Sequence, residues 1–416
     1  MGVAEGVPRE QRPMPFAGGA GRTAGPVTIY VANKAGNTVT PIRAASNRAG
    51  RPIRVGPGPE LIAISPDGQT AYVVGVGSLL SEAAAPVTLT AIRTATNRPR
   101  RVITVCAPGN LSRVDAPYAI AVTPDSRTVY VSCAGTVVPV RAGADTASEP
   151  IRVSSAGALA MADEGRTVHV ANPGGDTITP ISTATEEPGQ PIVVGPSPDA
   201  MAVTPDGRTV LVLTSTGVTG VTPVYAVTNR AGKPVAIQGA YALRAGPGGD
   251  TAYVLATPDP NSQQGFVVPV HIRAGTAGAP VKVGLNPVQI AFAPDGKMAY
   301  VANYASQSVT PIRLADGQAG PAIAAGKIPT RLAVSPDSTT VYVLDSNVFG
   351  EMGPEMPFGA QVRMLSRILF SALVKKPLTW RGQVIPIRVA TNSAGKPIKV
   401  GRLPMAIAIA PARPPV

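Results

Sequence analysis

Six polar residues stand where repeated apolar runs begin, and their types suit acid–base chemistry and the holding of a charged ligand. Glu60, Tyr118, Asp199 and Tyr241 each directly precede such a run, while Gln289 and Arg331 stand one position further in. Two carboxylates, two phenols, an amide and a guanidinium on one rim could orient a polar molecule or pass a proton. The plainer alternative is that loop residues are polar because water surrounds them. Arg244 breaks its column more sharply: equivalent positions hold Ala63, Ala121, Ala160, Ala202, Ala291, Ala333 and Ala408. An arginine among small residues would project into a cavity or meet a carboxylate, unless it reflects drift in a blade whose turn, Gly246-Pro247-Gly248-Gly249, is also weakened.

Familiar catalytic signatures are absent. The chain has no HExxH, no GxSxG, no P-loop and no dinucleotide-binding glycine pattern. Its two histidines fall in structural columns. His169 stands where other copies have Tyr30, Tyr72, Tyr130, Tyr253, Tyr300 and Tyr342, and His271 stands in a column of arginines. Cys106 and Cys133 lack CxxC spacing. They read as free thiols of a cytoplasmic chain, with a disulfide as the alternative. No metal and no cofactor is expected.

The elements that must position these residues come from a repeat. A short apolar strand ends in a Ser/Thr/Ala-Pro-Asp-Gly turn. A second ends like Tyr300-Val301-Ala302-Asn303, a third reads like Val309-Thr310-Pro311-Ile312-Arg313, and a fourth reads Pro-Ile-Arg-Val-Gly. The turn position recurs at 66, 124, 163, 205, 247, 294, 336 and 411, so the usual step is 42 residues. Four short strands per unit at that spacing specify an all-β fold, a single β-propeller of four-stranded blades. Eight blades are counted, seven being the alternative. The first second strand, from Thr28, lacks an inner partner, and the last inner strand, Ala406 to Pro411, lacks a second strand. Pairing the two closes the ring and removes its edges. Third-strand prolines such as Pro41 and Pro311 cannot donate to a ladder and predict a bulge or local edge.

These motifs resemble the YVTN-repeat family of β-propellers, a broad bacterial and archaeal group. The resemblance covers residues 27 to 411. It implies the propeller but no single activity, because the family includes surface-layer and binding proteins. Neighbouring propeller families include lactonases and a streptogramin lyase, and no motif here singles out either.

Composition bounds the rest. At +13 net charge and a pI near 10.0, an anionic partner is one reading. Against nucleic acid stand the 4% aromatic content and an arginine column (Arg43, Arg93, Arg141, Arg313, Arg388) that a ring would spread around its circumference. Nucleic acid is therefore disfavoured. Residues 1–26 read as a disordered tail without the apolar core of a signal, and 412–416 as a second tail. No membrane span is present. The expected location is cytoplasmic.

One segment departs from the repeat. The 346–383 insertion, between second and third strands, holds Phe349, Phe358, Phe370 and Trp380, with a predicted short helix from Met364 to Val374. It would lie on the upper face with two other long connections, as a lid, a homodimer contact or rim packing. Two functions compete. The first is a propeller that binds a small molecule or protein at this face. The alternative is an enzyme, lactonase-, lyase- or cyclase-like, acting on a partly apolar substrate in the channel mouth. Catalysis would require Glu60, Asp199 and Arg331 to converge beneath the insertion.

Overall fold

Alternation along the second strands decides which neighbour each side chain meets. In Thr28–Asn33, Ile29 and Val31 pack against Tyr342, Leu344 and Val384, whereas Tyr30 packs against Ala71 and Val73. Successive strand residues point to opposite faces, so one strand serves two interfaces. The computed structural model describes residues 27–77, 86–106, 119–144, 146–215, 217, 219–259, 261–346 and 381–411. They form eight antiparallel blades. Each of eight apolar clusters joins two successive blades, the last joining blade 8 to blade 1. The core is thus a circle of interfaces, not a single centre. Eight blades, not seven, are present.

Blade 1 is closed as the sequence requires. Pro404–Ala410 pairs antiparallel with Thr28–Asn33, setting Ala408 opposite Tyr30. Blades 2 to 8 follow in chain order, with inner strands beginning at Pro59, Ile120, Leu159, Pro198, Ala240, Pro287 and Pro329. Across each third-strand proline the outer strand interrupts. Thr38–Arg43 pairs first with Arg48–Ala49 and then with Ile53–Arg54, and between them only Gly50 N–H reaches the Pro41 carbonyl, at 2.7 Å.

The repeated polar letters have local duties. Asn33 donates through Nδ2 to the hydroxyls of Thr38 and Thr40, tying second to third strand, and Asn172 and Asn303 repeat this with Thr177, Thr179, Ser308 and Thr310. In blade 8 the position is Asp345, whose acceptor oxygens reverse the polarity. It takes hydrogen bonds from the Lys327 and Ile328 amides and from Gln383 Nε2. At the lower turns, the Thr204 hydroxyl donates to Asp206 Oδ1 at 2.6 Å, and the Arg208 amide donates to the same oxygen. These bonds hold the carboxyls of Asp125, Asp206 and Asp337 below their ordinary range.

Two members of the tyrosine column fasten neighbouring blades through their hydroxyls. Tyr30 Oη donates to Asn97 Oδ1 of blade 2 at 2.6 Å, and Tyr342 Oη donates to Asn47 Oδ1 of blade 1 at 3.1 Å. Both asparagines adopt left-handed backbone in outer hairpins, a conformation that asparagine tolerates. His169, fully buried, makes the equivalent contact to Asn229 at 3.2 Å. Burial holds its imidazole below the ordinary pKa. His271 is exposed on the outer wall.

The cysteines require a correction. Cys106 and Cys133 form a disulfide, with Cα atoms 6.1 Å apart, rather than two free thiols. The bond ties the outer strand of blade 2 to the second strand of blade 3. Adjacent blades bring the strand ends together, which linear spacing of 27 residues does not reveal.

Candidate functional site at the channel mouth

The candidate rim residues stand on a repeated bulge. The inner–second ladder slips between Pro59 and Leu61, Pro198 and Ala200, Ala240 and Ala242, Pro287 and Gln289, and Pro329 and Arg331. Each slip leaves one residue unpaired, and Glu60, Asp199 and Tyr241 are three of them. A bulge turns a side chain out of the regular pleat and is common beside binding sites. The sequence located these residues but not the bulge. Its signal is the proline or alanine directly before them.

Placement on one rim does not make them one site. Glu60 pairs with Lys34 of blade 1 at 2.7 Å. Asp199 is exposed and accepts a hydrogen bond from the Ser215 hydroxyl. Tyr241 Oη donates to the Pro287 carbonyl of blade 7, and burial pushes its phenol up. Gln289 Oε1 accepts the Leu332 amide of blade 8 at 2.6 Å, so this amide stitches two inner strands. The convergence of Glu60, Asp199 and Arg331 that catalysis would require is therefore incomplete: Glu60 and Arg331 interact electrostatically, but Asp199 is engaged elsewhere. Tyr118, Phe349, Phe358, Phe370 and Trp380 lie outside the described residues, as do 347–380 of the insertion, its predicted helix and both tails.

Arg244 and Arg331 stand apart from this pattern. Arg244 pairs across the ladder with Tyr253, just as Ala63 pairs with Tyr72 and Ala408 with Tyr30, so its alignment with the alanines is structural. Arg331 lies two positions nearer the mouth, opposite Leu344, about 7 Å along the strand direction. Both side chains are exposed, while inner-strand neighbours such as Ala242, Ala333 and Ala406 are half-buried. Both guanidiniums nevertheless fall below their ordinary pKa through desolvation, and Arg331 is lowered further by the Arg244 charge and raised by Glu60. Exposure and desolvation agree if the solvent they meet is the narrow water column inside the ring. Among the described residues neither guanidinium belongs to an ion pair. The inner strands of blades 6 and 8 thus carry two like charges, and the one carboxylate that acts on Arg331, Glu60, is already bound to Lys34.

Among the described residues no three His, Cys, Asp or Glu side chains gather as a metal site needs. No helix among them is long and apolar enough to cross a membrane. The arginine column corrects the charge argument from sequence. Arg43, Arg93, Arg141, Arg313 and Arg388 are all exposed, but they occupy blades 1, 2, 3, 7 and 8, which are consecutive around the ring. They form an arc instead of encircling the molecule, because ring closure brings the chain ends together.

No protein-family model matches the sequence, and no curated protein matches it. Solved structures do resemble it. Hydrazine synthase from Kuenenia stuttgartiensis superposes with a TM-score of 0.55 at 20% identity, over 71% of this chain and 94% of that one. Dihydro-heme d1 dehydrogenase NirN, in complex with DHE, gives 0.63 at 13% identity, over 92% and 74%. Apo AztD from Citrobacter koseri gives 0.64 at 13% identity, over 95% and 100%. At such identities the likeness is one of fold, and the fold it supports is the propeller built above.

Proposed function

We propose that this chain is a binding propeller that takes a small anionic molecule into its central channel from the bulged, upper end. The observation that supports it is the pair Arg244 and Arg331, two exposed inner-strand guanidiniums without an ion pair among the described residues, the Arg244 charge lowering Arg331 further. Holding like charges together in a partly desolvated space costs free energy. A carboxylate or phosphate between them would offset that cost and accept paired N–H donors. Binding is preferred to turnover because Asp199, Tyr241 and Glu60 are each engaged by a structural partner.

The finer readings fit around this. The YVTN-type lineage rests on motifs such as Tyr300-Val301-Ala302-Asn303. Insertion 346–383 is proposed as a lid over the same mouth, since its flanking strands, Thr340–Asp345 and Arg381–Arg388, end at the blade of Arg331. The Cys106–Cys133 disulfide favours an oxidising compartment over the cytoplasm.

The test is a thermal-shift panel of citrate, succinate, inorganic phosphate and uncharged glycerol. Anions should raise the melting temperature of the wild type but not of Arg244→Met/Arg331→Met, and glycerol should not discriminate between them. Equal shifts in both proteins would remove the channel from the account.

A further inference from the structure

The outer wall of the ring carries its charge unevenly. In blades 8, 1 and 2 the third and outer strands come from residues 381–402, 38–58 and 86–106. These stretches hold thirteen lysines and arginines, eleven of them arginine, and no aspartate or glutamate. All thirteen are exposed. The blades are consecutive, because ring closure sets blade 1 between blades 8 and 2. Blade 4, diametrically opposite blade 8, shows the reverse: residues 173–197 carry Asp176, Glu186 and Glu187 and no lysine or arginine. In the middle of the basic wall, between the outer strands of blades 1 and 2, a cleft of about 430 Å³ opens, lined by Arg51, Arg54, Thr96, Asn97 and the neighbouring prolines.

From this charge arc and cleft we propose a second binding surface: the wall of blades 8, 1 and 2 holds a flexible, linear phosphate polymer. Arg43 stands directly opposite Arg48 and Arg93 opposite Arg98, a cross-strand spacing of about 5 Å that lies within a Debye length of about 8 Å, so such pairs act on a polyanion together. The preference for arginine over lysine suits paired hydrogen bonds to phosphate oxygens. Shape selects among polyanions. The wall is convex over three blades, so a duplex with a persistence length of about 50 nm must bend to follow it or touch a narrow strip. A flat anionic membrane also meets only such a strip. Single-stranded nucleic acid is held largely by stacking on aromatic rings, and the three stretches contain no Phe, Tyr or Trp. An acidic protein would want buried apolar anchors, yet Val102 is the one large apolar side chain exposed in these stretches. A flexible chain of phosphates needs neither rings nor anchors. This surface is independent of the channel.

The experiment titrates long-chain inorganic polyphosphate into the full chain and follows binding against salt. Wild type should bind, with log K falling linearly against log salt. Arg51→Ser/Arg54→Ser/Arg98→Ser/Arg101→Ser should bind at least tenfold more weakly, with a slope shallower by roughly 0.7 for each phosphate left without its arginine. Arg208→Ser/Arg230→Ser, on blade 5, should bind as wild type does. Should the quadruple variant misfold, Arg51→Ser/Arg54→Ser alone should still weaken binding several-fold. The proposal is overturned if wild type does not bind polyphosphate or if the folded wall variant binds unchanged. It is equally overturned by polyglutamate, duplex DNA or anionic phospholipid vesicles binding as tightly at equal charge.

Discussion

Arg331 of blade 8 and Arg244 of blade 6 are both exposed on inner strands, and the Arg244 charge adds to burial in holding the Arg331 guanidinium below its ordinary range. The two belong to blades separated only by blade 7, and both project from inner strands, which line the channel. In an empty channel the arrangement works against stability. Arg244→Ala, which restores the residue of every other blade, should therefore raise the melting temperature by about 1–2 °C, a small effect because both groups contact water. Scanning calorimetry in low-salt, anion-poor buffer would measure it. A clear fall would mean that Arg244 has a structural partner.

His169 gives the fold a pH dependence. Its folded-state pKa lies below the ordinary imidazole value of about 6.5, because burial penalises the charged ring. The unfolded chain therefore binds the proton more readily. The stability at stake is intact above about pH 6.5 and is lost as pH falls below it. Urea midpoints at pH 7.5 and 5.5 should differ, and His169→Tyr should shrink the difference by supplying the phenol that blades 1 and 8 use.

The tyrosine column makes a paired prediction. Tyr30→Phe removes a hydrogen bond to Asn97 and should cost about 1 kcal/mol. Tyr300→Phe should cost close to nothing, because the buried Tyr300 hydroxyl has no hydrogen-bond partner among the described residues. Chemical denaturation of the two variants, compared side by side, separates hydrogen bonding from the packing that they share.

The Cys106–Cys133 bond closes a loop of 27 residues between blades 2 and 3. Loop-closure entropy for that length gives about 3–4 kcal/mol. Reduction, or Cys106→Ser/Cys133→Ser, should lower the unfolding free energy by up to that amount. An unchanged denaturation midpoint after verified reduction would show that the blades hold together without it.

Much of the fold was legible because each blade repeats the same physical solution. Pro-Asp-Gly marked the turns, Tyr-Val-Ala-Asn the second strands, and the unmatched strands at Thr28 and Ala406 the closure. The alignment also singled out Arg244 and Arg331. What it could not show was the relation between blades. The bulges beneath Glu60, Asp199 and Tyr241 need the cross-strand register. The engagement of Gln289 by Leu332, the disulfide and the clustering of the arginine column each depend on which blades are neighbours. The arc across blades 8, 1 and 2 joins residues from opposite ends of the chain, so no linear window contains it.

The central claim is that Arg244 and Arg331 together hold an anion in the channel. Calorimetric titration of citrate into wild type and into Arg244→Met/Arg331→Met tests it most directly. The account predicts saturable, salt-sensitive binding with one site per chain in wild type, and a loss of at least tenfold in the double variant, which stays folded. Equal affinity in the two proteins, or absent binding of citrate, succinate and phosphate by wild type, would contradict it.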